Sequence, residues 1–255
     1  MTTNPRRPMD LAPLGIPAGR YMLPDAGEYQ FAVPDRTRES ADRIAGFCAG
    51  QLTAADLQAA EIAFLRDFFG QQITDRRAKA LADYENRVPR RYNAATPDDR
   101  GIAWAASAVN DPENTRSLLI LGPTGTGKTH YAYATLRALA AAGTTQWKAM
   151  TAADLYASLR PRAGRDSEAE FEALAEAAVL FVDDLGAAKL TEWTEEVTYR
   201  LINSRYEQCV PGLFTSNVPP TQLRDVLGER IASRLTEMCE RISLKGEERR
   251  KGMAA

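Results

Sequence analysis

A glycine-rich segment that follows a short apolar run constrains this chain more than any other part of its sequence. Residues 122–129 are Gly-Pro-Thr-Gly-Thr-Gly-Lys-Thr, directly after Ser-Leu-Leu-Ile-Leu at 117–121. The backbone N–H groups of such a loop surround phosphate oxygens, and the helix that begins near Lys128 adds the positive end of its dipole. The pattern therefore predicts a strand, a phosphate-binding loop and a helix, in that order.

The same loop predicts the residues that hold a nucleotide and its metal ion. We expect Lys128 to reach the β and γ phosphates and the Thr129 hydroxyl to bind Mg²⁺. The predicted binding segment is the loop with the residue that follows it: Gly122, Pro123, Thr124, Gly125, Thr126, Gly127, Lys128, Thr129 and His130. His130, the one histidine of the chain, is predicted to pack within the start of the helix without a catalytic role.

Two more predicted strands end in polar residues that can complete this site. Residues 178–182 are all apolar and lead into Asp183 and Asp184, and residues 212–216 lead into Asn217. A short apolar run such as 178–182 is typical of a buried parallel strand, and the carboxyl ends of parallel strands meet at one edge of the sheet. We predict that Asp183 binds Mg²⁺, that Asp184 orients or deprotonates the attacking water, and that Asn217 contacts the γ-phosphate or that water. The alternative is that the two aspartates cap the next element and that the asparagine belongs to an ordinary turn.

Length and composition favour one α/β domain of ordinary size with a smaller attachment. The chain has 255 residues, a hydrophobic fraction of 44% and three widely separated cysteines, and no apolar run approaches membrane-spanning length. These features predict a cytoplasmic protein without membrane contact, a disulfide framework or a zinc site. The formal net charge of −2 limits any nucleic-acid contact to local basic clusters.

Proline content and helical periodicity divide the chain into three predicted parts. Residues 1–35 are predicted to be flexible, residues 36–86 to form a small helical region, and residues 87–255 to form the nucleotide-binding domain. The start of the third part, 87–93, contains a proline and is predicted to be an extended linker. Beyond it, strands that alternate with helices predict a mostly parallel sheet with helices on both faces, with further strands at 146–150 and 242–244.

The helical part carries one cap signal and one aromatic cluster. Thr53 with Asp56 predicts a helix over about 54–69, with Gly70 directly after its end. Four apolar residues lie at helical spacing near this end: Phe64, Leu65, Phe68 and Phe69. They either pack inside a helical hairpin or dock on another protein.

Two arginines lie four residues apart on one predicted helical face near the end of the chain. Arg230 and Arg234 belong to Gly-Glu-Arg-Ile-Ala-Ser-Arg-Leu at 228–235, without an obvious carboxylate partner in the local sequence. Such a pair either reaches a phosphate or consists of ordinary surface charges. The spacing leaves both interpretations open.

Taken together, these segments resemble the AAA+ helicase-loader ATPases of bacteria and their phages, the DnaC type, and the related IstB type of transposition ATPases. The resemblance covers about residues 88–250 and rests on the joint order of several short motifs. Besides the phosphate-binding loop, they are Val-Pro-Arg-Arg-Tyr at 88–92, Val-Asp-Asp-Leu-Gly at 182–186, Ile-Asn-Ser-Arg-Tyr at 202–206, Thr-Ser-Asn at 215–217 and residues 228–235.

The resemblance implies an α/β fold of the AAA+ P-loop class with a minimal lid, and ATP and Mg²⁺ as ligands. It implies that Asn217 is sensor 1 and that Arg234, aided by Arg230, is an arginine finger for ATP in a neighbouring subunit. It also implies that Arg250, or else Arg249, is sensor 2. These ATPases usually carry glutamate as the base, so the shorter Asp184 predicts slow turnover or a role of ATP as a switch.

The function that the resemblance implies is the loading of a hexameric replicative DNA helicase onto single-stranded DNA, with residues 36–86 as the partner-binding region that holds the helicase. Identical subunits then assemble through their ATP sites, and residues 152–165 contact the single strand through Arg160, Arg162 and Arg165. Tyr156 either stacks a base or faces the core. The alternative is an IstB-type transposition ATPase that binds duplex DNA and a transposase. A small-molecule kinase and a scaffold that binds ATP without hydrolysing it are the other classes compatible with a P-loop.

Overall fold

The structure is a computed structural model of the chain. It describes residues 25–26, 29–30, 38–162, 164, 166–187 and 191–245. The chain divides into two compact units, Met1–Arg76 and Arg77–Ala255. The sequence placed the start of the second domain at residue 87, eleven residues after the first unit ends.

In the first unit, a short antiparallel pair precedes two helices. Strand β1 (Asp25–Ala26) pairs with β2 (Tyr29–Gln30), and helix α1 spans Arg38–Cys48. The rest of the predicted flexible segment 1–35 lies outside the described residues. The side chains of Phe64, Leu65, Phe68 and Phe69 also lie outside the described part of the chain, so their role in packing or docking stays a prediction.

Helix α2 (Ala54–Arg87) is much longer than the sequence predicted. It begins as expected, because the Asp56 N–H donates to the Thr53 hydroxyl and the Thr53 N–H donates to the Asp56 carboxylate. The predicted end at Gly70 is wrong, since one glycine costs only about 1 kcal/mol inside a helix and good helix formers follow it. Side-chain bonds at four-residue spacing support this part of the helix: Gln71 to Asp75 and Arg87 to Asp83.

Five parallel strands form the centre of the second unit, as the alternation of strands and helices predicted. They are β3 (Ser117–Leu121), β4 (Trp147–Thr151), β5 (Val179–Asp183), β6 (Gly212–Ser216) and β7 (Cys239–Ser243). Their order is β4-β5-β6-β3-β7, and every neighbouring pair is parallel. The predicted α/β fold with a parallel sheet flanked by helices is therefore confirmed.

Helices cover both faces of this sheet. They are α3 (Asp99–Asn110), α4 (Lys128–Ala141), α5 (Ala152–Leu159), α6 (Ser167–Ala175), α7 (Glu192–Glu207), α8 (Leu223–Leu227) and α9 (Glu229–Met238). In β3, Leu119 and Leu121 enter the core that contains α5 to α9, while Leu118 and Ile120 enter the core that contains α3 and α4. This two-sided burial is why the strand is apolar at both of its faces. No helix in the described ranges is both long and apolar enough to cross a membrane.

The segment 87–93 is not an extended linker. Val88 is buried, residues 90–92 form a 3₁₀ turn, and the Tyr92 ring stacks on Tyr133 of α4 with 4.7 Å between ring centroids. The Tyr84 hydroxyl, near the end of α2, donates to the Tyr133 carbonyl oxygen at 3.0 Å. A proline restricts only its own neighbours, so the local pattern did not reveal that this segment packs on the sheet domain.

A buried arginine joins three parts of this domain. Arg205 of α7 has no exposed surface, and its guanidinium donates to four carbonyl oxygens. They belong to Leu174 (3.1 Å), Ala175 (2.9 Å), Ala177 (2.8 Å) and Pro211 (2.5 Å). Two of them end α6, where carbonyl groups lack partners within the helix. Burial lowers the pKa of Arg205 to about 10, so the side chain stays charged at neutral pH. One side chain therefore fixes the end of α6, the turn into β5 and the start of β6.

Replacing Arg205 with methionine tests this connection while retaining an apolar side chain of considerable volume. The variant leaves four buried carbonyl groups without their donor, so we expect the free energy of unfolding to fall by at least about 3 kcal/mol. Urea unfolding followed by circular dichroism measures the change. Arg200→Ala is the matched control, because Arg200 lies on the same helix but its ion pair with Glu168 is exposed. Equal midpoints for Arg205→Met and the unmodified protein would contradict the proposed role.

Candidate nucleotide-binding site

The ends of three strands meet at one edge of the sheet and bring the predicted site residues together. β3 leads into the glycine-rich loop, β5 ends at Asp183, and β6 is followed by Asn217. Thr215 of β6 links two of these ends, because its hydroxyl donates to Asp183 Oδ1 at 2.5 Å and accepts the Asp184 N–H at 2.8 Å. Parallel strand alignment produces this convergence.

The lysine of the loop is held between the loop itself and β6. Lys128 is 5% exposed, and its Nζ donates to the Pro123 carbonyl oxygen at 2.9 Å and to Asn217 Oδ1 at 2.5 Å. The preceding Gly127 has φ 95°, a conformation that glycine adopts without steric cost, and it directly precedes α4. The backbone turn thus places the lysine at a helix N-terminus, where phosphate groups bind.

The predicted metal ligands lie side by side. The Thr129 hydroxyl donates to both carboxylate oxygens of Asp183, at 3.0 and 3.1 Å. Burial raises the pKa of Asp183 above its ordinary value, while the hydrogen bonds from Thr215 and Thr129 and the Lys128 charge oppose that rise. A hydroxyl next to a buried carboxylate fits the oxygen ligands that Mg²⁺ takes beside nucleotide phosphates, so these two residues fit the predicted ion.

Asp184 turns away from the sheet immediately after β5. Its φ is 56°, which is rare for residues other than glycine but tolerated by aspartate. The Asp184 N–H bond to Thr215 holds this turn, and Asn217 Nδ2 donates to Asp184 Oδ1 at 3.2 Å. Asn217 therefore bridges Lys128 and Asp184 directly after the end of β6.

A cavity of about 470 Å³ lies over this constellation. The residues that line it are Arg91, Tyr92, Ala94, Thr124, Gly125, Gly127, Lys128, Thr129, His130, Asp184 and Asn217. The size is within the range of small-molecule sites. His130 is exposed and contributes to the wall, so the prediction that it packs within the helix start is wrong.

The remaining residues of the glycine-rich loop do not line the cavity, but they determine the conformation of the loop. The Thr126 hydroxyl donates to the Pro123 carbonyl oxygen at 2.9 Å and closes the loop on itself. A side chain at Gly122 would collide with the Leu244 carbonyl oxygen, which follows β7. Glycine is required at this position because the strand edge and the loop approach each other so closely.

The segment 91–94 is a part of the cavity that the sequence analysis missed. Arg91, Tyr92 and Ala94 line the cavity, although the sequence analysis had assigned 87–93 to an extended linker. The one sequence signal for Arg91 and Tyr92 was the Val-Pro-Arg-Arg-Tyr motif at 88–92, which belongs to the family resemblance. The tyrosine reaches the cavity because its ring stacks on Tyr133, and that contact depends on the packing of α4.

The other predicted site residues lie elsewhere. Arg230 and Arg234 of α9 are not among the residues that line the cavity. Arg234 does have a carboxylate partner, Glu237, at 3.4 Å, contrary to the sequence expectation. Arg250, Arg249 and Arg165 lie outside the described residues.

Tyr156 belongs to the core of the domain. It is 8% exposed, and its hydroxyl forms a 2.9 Å hydrogen bond with the hydroxyl of Thr198. Its ring is thus not available to stack a base. Of the two interpretations that the sequence left open for Tyr156, the structure supports the core position.

The raised pKa of Asp183 predicts opposite effects of Asp183→Asn on stability and on metal binding. A carboxyl whose pKa is raised in the folded state stabilises the fold below its unfolded pKa, and this contribution is lost as the pH rises through the folded value. At neutral pH the charged group is therefore destabilising, and we expect the neutral amide to raise the unfolding temperature without ligand. Magnesium and ATP should stabilise the unmodified protein but not the variant. Thermal unfolding with and without both ligands measures this, and a lower ligand-free unfolding temperature for the variant would count against the argument.

Comparisons with known proteins agree with this geometry. Residues 74–254 match the family described as IstB-like ATP binding protein. The putative ATP-binding protein of insertion sequence IS5376 from Geobacillus stearothermophilus is 30% identical over 145 residues, which are 53% of this chain and 55% of that protein. The uncharacterized protein YqaM of Bacillus subtilis (strain 168) is 29% identical over 133 residues, 50% of this chain and 42% of that protein. The chain thus matches about half the length of these relatives.

A solved structure supports the same assignment. The crystal structure of the DnaC helicase loader superposes with a TM-score of 0.54 at 27% identity, over 62% of this chain and 100% of that chain. The predicted resemblance to the DnaC and IstB types is confirmed, and so is the P-loop class of the fold. The family match covers more than half of the residues of this chain, which therefore belongs to the IstB-like ATP-binding protein family.

Proposed function

We propose that this chain is a Mg²⁺-dependent ATPase whose active site is completed by a neighbouring copy. The observation that supports this most directly is the hydrogen-bonded series Lys128–Asn217–Asp184 beside the Thr129–Asp183 pair, at the edge of one cavity. The series joins a phosphate-binding cation to a carboxylate that can act on water. Chains that only bind nucleotide do not require the second group.

Each residue then has a defined part in the reaction. Lys128 binds the β and γ phosphates of the substrate, and Asp184 accepts the proton of the water that attacks the γ-phosphorus as the bond to ADP breaks. Asn217 orients Asp184 through its amide. Mg²⁺, held by Thr129 and Asp183, would neutralise phosphate charge. Asp184 is one methylene shorter than glutamate, so we expect a low turnover number.

Arg234 supplies the arginine finger in this proposal, with Arg230 beside it. Both arginines lie on α9, and neither lines the cavity of its own chain. An arginine that serves ATP from outside the cavity must act on the site of another subunit. This arrangement makes nucleotide binding and self-association mutually dependent, since each interface then contains one cavity and one finger.

Mixing two inactive variants tests the finger in trans. Lys128→Ala keeps the finger but loses its own site, and Arg234→Ala keeps the site but loses the finger. Each alone should hydrolyse ATP at least about a hundredfold more slowly than the unmodified protein. An equal mixture should recover about a quarter of the normal rate, because random assembly pairs a good site with a good finger at about one interface in four. If Arg234→Ala alone retains the full rate, the finger assignment is wrong.

We propose helicase loading as the role of this ATPase. The likeness to the DnaC helicase loader over the whole of that chain supports it. In this role residues 36–86 bind a replicative helicase, and the ATPase domain contacts single-stranded DNA. Arg160 and Arg162, which are exposed, are the described cations for that contact, without base stacking by Tyr156.

A transposition role is the second candidate, because the matched relative from Geobacillus stearothermophilus is described as a putative ATP-binding protein of insertion sequence IS5376. The catalytic residues are the same in both roles. Only the partner and the form of DNA differ, with a transposase and duplex DNA in this case.

Partner binding distinguishes the two roles. We expect mass photometry to show a complex with the host's hexameric helicase when ATP is present and a weaker one with ADP. We also expect single-stranded DNA to stimulate ATP hydrolysis more than duplex DNA does. Lys128→Ala is the control that distinguishes nucleotide-dependent binding from non-specific association with the helicase. A rate stimulated by duplex DNA, without a helicase complex, would replace helicase loading by the transposition role.

A further inference from the structure

Helix α7 presents a polar and aromatic stripe to the two arginines of α9. Tyr199, Asn203 and Tyr206 are spaced at i, i+4 and i+7, so they lie on one face of the helix. The Arg230 guanidinium carbon lies 3.7 Å from the centre of the Tyr199 ring. The Arg234 guanidinium carbon lies 4.4 Å from the centre of the Tyr206 ring. Two arginine–tyrosine stacks therefore occur side by side between α7 and α9.

Arg234 is oriented by more than its stack. Its Nε donates to Asn203 Oδ1 at 3.0 Å, and Asn203 Nδ2 in turn donates to Glu207 Oε1 at 2.8 Å. The second bond fixes the Asn203 amide so that its oxygen is presented to the arginine. The Arg234 guanidinium plane rests on an aromatic face, and its Nε is already bonded to Asn203. The two terminal nitrogens therefore form the edge of the guanidinium that can bind an anionic group.

Glu237 is the carboxylate at that edge. The Arg234 NH1 donates to Glu237 Oε2 at 3.4 Å, a long distance for a charged hydrogen bond. The same carboxylate accepts shorter bonds from Tyr206, at 2.9 Å, and from Ser233, at 3.0 Å. These bonds lower the pKa of Glu237, so it is ionised at neutral pH. Tyr206 and Ser233 both donate to the Glu237 carboxylate. Breaking the contact between Arg234 and Glu237 therefore does not leave that carboxylate without a hydrogen-bond partner.

We propose that Tyr199, Asn203 and Tyr206 form a platform that orients Arg230 and Arg234 before a second copy docks, and that Glu237 is the counter-ion Arg234 exchanges for phosphate. This inference rests on the proposed finger in trans. The three platform residues are positioning residues, because they act through the arginines and touch no substrate. Arg200 of the same helix also stacks on a ring, Phe171, so a stack alone is not distinctive. The feature that separates Arg234 from Arg200 is the additional bond from its Nε to the oriented Asn203 amide.

The platform is tested in the subunit that donates the finger. Asn203→Ala and Tyr206→Leu are each placed in Lys128→Ala subunits and mixed with Arg234→Ala subunits. We expect the recovered rate to fall about tenfold for Asn203→Ala and severalfold for Tyr206→Leu, without a change in the KM for ATP. Tyr206→Phe keeps the ring and should retain most of the rate. Glu237→Gln should not lower the rate, because the arginine needs no carboxylate in the assembled interface.

The reverse mixtures show whether the effect is specific. The same substitutions in Arg234→Ala subunits, mixed with Lys128→Ala subunits, should leave the recovered rate unchanged, and this result also shows that the variants fold. Arg200→Ala is the matched control, because Arg200 of α7 stacks on Phe171 at 4.0 Å, away from the stripe. Equal losses in both orientations, or no loss in either, would overturn the platform. If the parent mixture itself recovers no activity, the finger in trans fails first.

Discussion

The parallel alignment of five strands is the constraint on which the remaining structure depends. All carboxyl ends of a parallel sheet point to the same edge, so residues more than fifty positions apart in the sequence meet there. Thr129, Asp183 and Thr215 come from three segments and form one hydrogen-bonded group. The same alignment buries both faces of the sheet, which explains the continuous apolar runs. Fold and site are therefore products of a single arrangement of strands.

Two buried charged residues, Arg205 and Asp183, have different roles in this domain. Arg205 is surrounded by carbonyl oxygens, and its charge is used to tie helix and strand ends together. Asp183 is buried beside hydroxyl groups and has a raised pKa, so its charge is poorly compensated without a cation. Arg205 stabilises the fold, whereas the buried charge of Asp183 destabilises it locally until a bound cation compensates that charge. A stabilising substitution at Asp183 is therefore expected to remove function.

The end of α2 and the segment after it connect the sheet domain to the wall of the cavity. Tyr84 bonds to the backbone of Tyr133, and the Tyr133 ring supports Tyr92, which lines the cavity. The edge of the Tyr133 ring also meets Phe181 of β5, with 5.2 Å between ring centroids. The cavity wall is thus continuous with the core, so its shape depends on packing outside the phosphate-binding loop.

The sequence by itself determined the strands, their order along the chain and the polar side chains at their ends, because these signals are local. The loop at 122–129, the runs before Asp183 and Asn217, and the cap at Thr53 are each encoded within a few residues. Tertiary structure alone decided that Tyr92 lines the cavity, that Tyr156 is buried, and that Arg234 rests on Tyr206 beside Glu237. Each of these depends on contacts between segments distant in sequence, and the free energy of such contacts outweighs the local preference of a proline or a single charge.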